Sequence, residues 1–238
     1  MSARPWAPRR FWTRVDVLDS EGLWTVALDG RQVRTPEGAV LRLPTRSFAE
    51  AVAAEWRAQG ERVEPLSMPA TRLANAAIDR VTPNRGPVAA ALAAYAETDL
   101  LCHRADRPER LVRRQREGWD PILAWAAETL GADLCAVEGL MPARQPPADL
   151  GRLRGLVEEM PPFSLAAFHD LVTLTSSLLL GLAVAKGRLD AEEAWSLSRL
   201  DEEFQMEEWG RDEEADAAAA VRRAAFLDAA RLWDLLQV

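Results

Sequence analysis

The side chains best able to do chemistry in this sequence are carboxylates, and they are concentrated. From Asp190 to Asp216 the acids Asp190, Glu192, Glu193, Asp201, Glu202, Glu203, Glu207, Glu208, Asp212, Glu213, Glu214 and Asp216 stand against only Arg199 and Arg211. Paired acids can serve general acid/base catalysis, and carboxylates at helical spacing can bind metals. Metal centres of helical bundles, however, combine Glu-x-x-His pairs from facing helices, and the sequence contains none. Two readings remain for the segment: a solvated face, or a surface that attracts a basic partner. Either would repel nucleic acid, as the formal net charge of -8 also does.

Other nucleophiles and bases are sparse. There are two histidines and two cysteines, and no Gly-rich phosphate loop, G-x-S-x-G, C-x-x-C or H-E-x-x-H pattern. Cys102-His103 is the nearest approach to a nucleophile with a base. Neighbours on an extended segment point to opposite faces, so the pair is expected not to hydrogen-bond and reads as a buried cysteine beside a partly exposed histidine. His169-Asp170 is expected to have the same defect. Cys102 and Cys135 fit neither a disulfide scaffold nor a zinc site, which points to a reducing compartment. The expectation is a protein without metal, cofactor or catalytic residues.

The acidic helix repays geometry. At about 100° per residue, Leu197, Leu200 and Phe204 form an inward stripe, while Asp201, Gln205, Glu208 and Trp209 run along one shoulder of it. A large aromatic beside acids and an amide has the composition of an interface anchor, where a carboxylate can take a partner's arginine bidentately. The ordinary alternative for Trp209 is packing near Leu232 or Trp233 of the last helix.

The elements that position these groups divide into two kinds. Alternation in residues 12–18 and 24–28 predicts strands, with Asp29-Gly30 as a two-residue hairpin turn that needs positive φ at both centres. Arg31 to Thr35 and Val40 to Leu43 are expected to complete a β meander. Ser47 with Glu50 suggests a capping box, opening a helix whose core stripe is Phe48, Val52 and Trp56. Helices are then expected from Pro69 to Val81, Pro87 to Glu97 and Pro108 to Leu130, the last kinked or split at Pro121. Residues 136–148 read as the longest loop. Four helices follow: Asp149 to Met160, Ser164 to Lys186, Asp190 to Trp209 and Asp212 to Leu236, with Gly187 and Gly210 as stops.

The fold class is therefore α+β: a small antiparallel β-rich N-terminal domain with one helix, residues 1–66, followed by a larger all-helical domain, residues 67–238. At 238 residues with 48% hydrophobic composition, the chain can bury a substantial core. The start, Met1 to Arg10, lacks the apolar core of a secretory signal. Leu171 to Ala185 is uncharged but too short to span a bilayer and reads as buried helix.

Several blocks in order resemble one family, the assembly chaperones that bind the α subunit of the F-type ATP synthase catalytic head. They are Phe11-Trp12; Leu28-Asp29-Gly30-Arg31 with Val33-Arg34-Thr35-Pro36; Leu43-Pro44-Thr45; and Ala53-Ala54-Glu55-Trp56 with Gln59. They continue with Met68-Pro69, Thr71, Leu73-Ala74-Asn75 and Ile78-Asp79; Thr98-Asp99-Leu100-Leu101-Cys102 with Arg104; and Gln115 with Trp119-Asp120-Pro121. The last block is Leu200-Asp201-Glu202-Glu203-Phe204-Gln205 with Trp209-Gly210. The resemblance implies a non-enzymatic protein that holds the unassembled α subunit, prevents its aggregation and promotes assembly of the head. It implies that Asp201, with Glu202, Gln205 and Trp209, meets that partner, and Glu208 lies beside them on the shoulder. Trp56, Asn75, Asp79, Asp99, Trp119 and Asp120 are motif positions read as structural, Trp56 because it lies on the core stripe. Eukaryotic relatives work in the mitochondrial matrix; the short leader suggests the cytoplasmic bacterial form, monomeric when free. A general scaffold for another basic partner and a carboxylate-based enzyme are the rival readings.

Overall fold

In the computed structural model, residues 9–139 and 143–237 are described; the parts of the expectations that fall on residues 1–8 and 140–142 lie outside them. The chain opens with a three-stranded antiparallel sheet in the order β1 (Val15–Ser20), β2 (Leu23–Leu28), β3 (Arg31–Gln32). Val15 pairs with Leu28 and Leu28 with Arg31, so Asp29 and Gly30 are the two turn residues. Both have positive φ, 48° and 81°, the requirement of this tight turn. The Asp29 carboxylate also accepts from the Thr13 and Arg14 amides, at 3.1 and 2.8 Å, and these bonds hold its pKa below the usual range.

The expected meander is shorter than the sequence suggests. Trp12 precedes the strand and is buried, and the segments predicted as strands at Arg31 to Thr35 and Val40 to Leu43 contribute β3 and the single bridges Arg34–Val40 and Trp24–Leu43. The first helix, α1 (Arg46–Ala58), is capped by Thr45, whose hydroxyl accepts from Phe48 N at 3.2 Å, and not by Ser47. Ser47 instead donates to Leu235 O at 2.7 Å, as Thr45 does at 2.6 Å. With both hydroxyls tied to the chain's last turn, the cap belongs to the residue at the helix boundary.

Phe48 and Val52 are fully buried, with Val26, Leu41 and Leu43, in the core above α1. Burying each such side chain stabilises the fold by about 1.5–3 kcal/mol. Trp56 is half-buried and stacks edge-on against Trp12, centroids 5.1 Å apart. Helix α2 (Pro69–Ala76) follows, and the Glu55 carboxylate caps its start, accepting from Ala70 N at 2.6 Å and Thr71 N at 2.8 Å. The predicted helix to Val81 ends in a π-turn, Ala77–Val81.

The second region is helical: α3 (Arg85–Ala93), α4 (Glu109–Trp125), α5 (Pro147–Glu158), α6 (Pro162–Thr173), α7 (Leu178–Ala185), α8 (Ala191–Ser198), α9 (Leu200–Trp209) and α10 (Glu213–Leu235). Helix α4 runs through Pro121 without splitting and ends in a π-turn, Ala126–Leu130. Within the expected loop at 136–148, Val137–Glu138 forms β5, which pairs in parallel with β4 (His103–Arg104).

Two long helices expected from apolar periodicity are each broken. Ser164 to Lys186 divides at residues 174–177, where Ser176 has φ 54° and Thr175 donates to Leu171 O at 2.7 Å. Asp190 to Trp209 divides at Arg199, with φ -107° and ψ 9°, just after Ser198 donates back to Trp195 O. In both, short hydroxyl side chains offer backbone carbonyls a local partner that competes with the helical ladder. Gly187 and Gly210 follow α7 and α9 with positive φ, as a helix stop requires.

The compact units divide after Asn84, where the sequence places the boundary after residue 66. The first comprises Met1–Asn84 with Pro162–Ala166 and Arg231–Val238; the second, Arg85–Pro161 and Ala167–Ala230. The later segments join the first unit for visible reasons: Phe163 packs edge-on against Phe48 with centroids 5.8 Å apart, and Leu235 receives the Thr45 and Ser47 hydroxyls. No helix of the described residues is long and apolar enough to cross a membrane.

Candidate partner-binding site

The motif acids fall into two environments. Asp99 is completely buried. It accepts from Leu101 N at 3.0 Å, Ser177 Oγ at 2.7 Å and Leu179 N at 3.0 Å, and so fixes the start of α7. Burial pushes its carboxyl above the usual range against these bonds. Asp79 accepts from Thr35 Oγ1 at 2.7 Å and Glu37 N at 3.3 Å, bracing the turn between the bridged Arg34 and Val40. The Asn75 amide oxygen is buried without a hydrogen-bond partner among the described residues.

Asp201 sits differently, half-buried on the first turn of α9. Its Oδ1 accepts from Gln115 Nε2 at 2.7 Å, and Gln115, 1% exposed, accepts in turn from Ala105 N at 2.9 Å. Burial raises the Asp201 pKa, opposed by the Gln115 bond and by the nearby Arg104 charge. Arg104 is itself held: it lies 5.3 Å from the Trp119 ring and donates from Nε to Leu101 O at 2.8 Å. Its Nη2 stands 2.7 Å from Asp120, an ion pair without hydrogen-bond alignment. Trp119 is fully buried and donates to Leu197 O at 3.0 Å. A cleft of 190 Å³ opens here, lined among others by Arg104, Gln115, Arg116, Asp120 and Glu138.

The rest of the predicted shoulder is on the surface. Gln205 is exposed, Glu202 pairs with Arg199 at 2.5 Å, and Trp209 is 82% exposed. Trp209 is thus presented to solvent, where packing against the last helix was the alternative. Glu208 meets Arg110 at 3.0 Å; Glu207 takes both Arg110 and Arg114, the latter through two bonds of 2.8 Å. These arginines hold the Glu207 carboxyl below its usual pKa, and both lie over the Phe204 ring, at 5.3 and 5.6 Å. The acidic segment is therefore compensated from α4, beyond the Arg199 and Arg211 visible nearby in sequence. Elsewhere Arg223 binds Glu192 and Arg211 binds Asp216.

Sequence reasoning quoted Gln115 and Arg104 only within motifs and missed Arg110 and Arg114. The i, i+4 spacing of the last two on an amphipathic helix was the available signal. Neither histidine pair makes a nucleophile with a base. Cys102 is buried, with its thiol pushed up to about 12 chiefly by desolvation, and His103 is half-buried. His169 and Asp170, expected not to meet, do hydrogen-bond at 2.9 Å on the exposed surface of α6. Both cysteines are free, and among the described residues no group of three or more His, Cys, Asp or Glu gathers as metal ligands would.

A seated carboxylate, an exposed aromatic and an ion-paired helix edge together have the composition found at protein–protein interfaces. Comparison with known proteins gives the class more closely. The profile described as ATP12 chaperone protein matches residues 9–127. Two structures of Atp12 from Paracoccus denitrificans, one an aspartate-to-lysine mutant, are each 54% identical with TM-score 0.94. Each covers 96% of this chain, and the matches span 97% and 98% of those chains. The Atu1473 protein of Agrobacterium tumefaciens, titled a putative chaperone, is 41% identical with TM-score 0.92, over 96% of this chain and 86% of that one. "Protein atp12, mitochondrial" of Schizosaccharomyces pombe is 26% identical over 219 residues, 87% of this chain and 75% of that protein. The chain belongs to the ATP12 chaperone family, whose members act in ATP synthase assembly.

Proposed function

We propose that this chain binds the unassembled α subunit of the F-type ATP synthase, keeps it from aggregating and passes it to the growing catalytic head without catalysing a reaction. The surface of α9 from Asp201 to Trp209 is the place of contact. The observation that carries this reading is Trp209, 82% exposed at the end of a helix rich in carboxylates. Tryptophan is among the residue types enriched at the energetic centres of protein interfaces, and carboxylates beside it can take a partner's arginine. Subunits destined for a ring expose apolar interface until their neighbours arrive, and a chaperone that covers such surface removes the aggregation hazard. The β subunit, competing for the same α surface, is the agent of release. Similarity to structures from Paracoccus and Agrobacterium supports a bacterial cytoplasmic setting.

The test is co-purification of isolated α subunit with the wild-type protein and with Asp201→Lys. Wild type should keep α soluble, and the charge reversal should weaken the association without unfolding the chaperone. Failure of the wild type to associate with α in any nucleotide state overturns the reading.

A further inference from the structure

Asp201 looks like a contact residue in sequence, but its geometry is that of a fastener. The polarity of its bond is fixed from the far side. A backbone N–H can only donate, so Ala105 N obliges the Gln115 amide oxygen to face it, and the amide nitrogen then faces residue 201. Gln115 is buried, so water cannot replace a lost partner cheaply. Position 201 must therefore carry an acceptor. Aspartate and asparagine satisfy that requirement; lysine sets a donor against a donor.

The same stretch of α4 seats the whole junction of α8 and α9. Trp119 donates to Leu197 O, and a Cβ at Gly118 would lie 2.9 Å from Leu197 Cδ2 and 3.3 Å from Leu200 Cδ1. Earlier on α4, Arg110 and Arg114 take Glu208 and Glu207. As α9 runs from 201 to 208, its partners on α4 run back from 115 to 110, so the two helices are laced antiparallel with Asp201–Gln115 at one end. Trp209 follows directly after the other end.

We propose that Asp201 serves partner binding as a positioning residue: through Gln115 and Ala105 N it locks α9 onto α4 and thereby fixes how Glu208 and Trp209 are presented. This deepens the reading above and rests on it for the partner. The consequence is that acceptor capacity at 201, and not its negative charge, governs binding.

The experiment compares Asp201→Asn, Asp201→Lys and Gln115→Leu by affinity for isolated α subunit and by hydrogen exchange across Leu200–Trp209. Asp201→Asn is expected to bind at least tenfold tighter than Asp201→Lys. Gln115→Leu, which alters no charge and no surface, should lose tenfold or more, and exchange across α9 should rise in Gln115→Leu and Asp201→Lys. If Gln115→Leu does not fold, the pair Gln115→Glu and Asp201→Gln takes its place. The double variant restores the bond with its polarity reversed and should bind at least tenfold tighter than Gln115→Glu alone. The proposal is overturned if Asp201→Asn binds as poorly as Asp201→Lys, if folded Gln115→Leu binds like wild type, or if the double variant gives no rescue. Exchange reads the fastening without a partner: wild type that ignores α while α9 still loosens in Gln115→Leu sinks the partner assignment alone, and α9 exchange unchanged in that variant sinks the fastening.

Discussion

Asp99 and Asp201 are both motif carboxylates on which burial raises the pKa, yet they stand in opposite situations. Asp99 takes three donors, two of them backbone amides, inside a region with no access to water. Asp201 takes one donor and stays partly open to solvent. The first is saturated by its own chain and has nothing left to offer a partner. The second is tethered at one oxygen, beside a cleft and on the same helix as an exposed tryptophan. Similar chemistry in the sequence thus serves the interior in one place and the surface in the other, and the number of donors aimed at each carboxylate separates the two.

The largest effect should come from Asp99→Ala, which strands the Ser177 hydroxyl and two amides in the interior. A loss on the order of 3 kcal/mol is expected in urea unfolding. Equal stability would show that Asp99 is not saturated as described. Trp209→Ala probes the other side: affinity for α should fall about tenfold or more, while the unfolding free energy measured in urea changes by no more than about 0.5 kcal/mol. Two glycines sharpen the contrast. At Gly181 in α7 a Cβ would meet Val172 Cγ2 at 2.9 Å and Phe168 Cε2 at 3.3 Å. Overpacking against that stiff pair exceeds the gain in helix propensity, so Gly181→Ala should cost about 1–2 kcal/mol. At Gly118, facing α9, the obstacle is the mobile end of Leu197; Gly118→Ala should lie within about 0.5 kcal/mol of wild type.

The smallest effect is a pH dependence. Because burial raises the folded pKa of Asp201, its charged form is less favourable in the folded chain than in the unfolded one. That penalty is present above the folded pKa and is relieved as pH falls toward the ordinary carboxylate range. Asp201→Asn should therefore be slightly more stable than wild type at pH 7, by less than about 1 kcal/mol since the group is partly open to water. Paired denaturation curves should show the gap closing on acidification; a gap that widens would mean the carboxylate is favoured in the fold.

Much of the architecture could be read from local pattern. Asp29-Gly30 announced its turn, Phe48 and Val52 their core face, and Gly210 the end of α9. The broken helices could not be read this way. Residues 171–185 carry no charge, and the interruption at Ser176 depends on Asp99, 78 positions before Ser177. The shoulder of α9 was visible in outline, since helical rotation alone groups Asp201, Gln205, Glu208 and Trp209. Its fastening was not. Gln115 lies 86 positions from Asp201, and a glutamine on an amphipathic helix carries no local sign that its amide will be buried and oriented. Arg110 and Arg114 show why a run of acids overstates the field at the surface: the compensating charge came from another helix.

Trp209 also gives the molecule a built-in optical probe. The sequence contains nine tryptophans, and among the described ones it alone is exposed, with Trp12, Trp119, Trp195 and Trp233 buried and Trp24, Trp56 and Trp125 half-buried. Among the described tryptophans, red-edge emission and quenching by iodide therefore come chiefly from this indole. Covering it shifts that emission to the blue and shields it from the quencher, so the docking proposed for α9 can be followed in real time with no label attached.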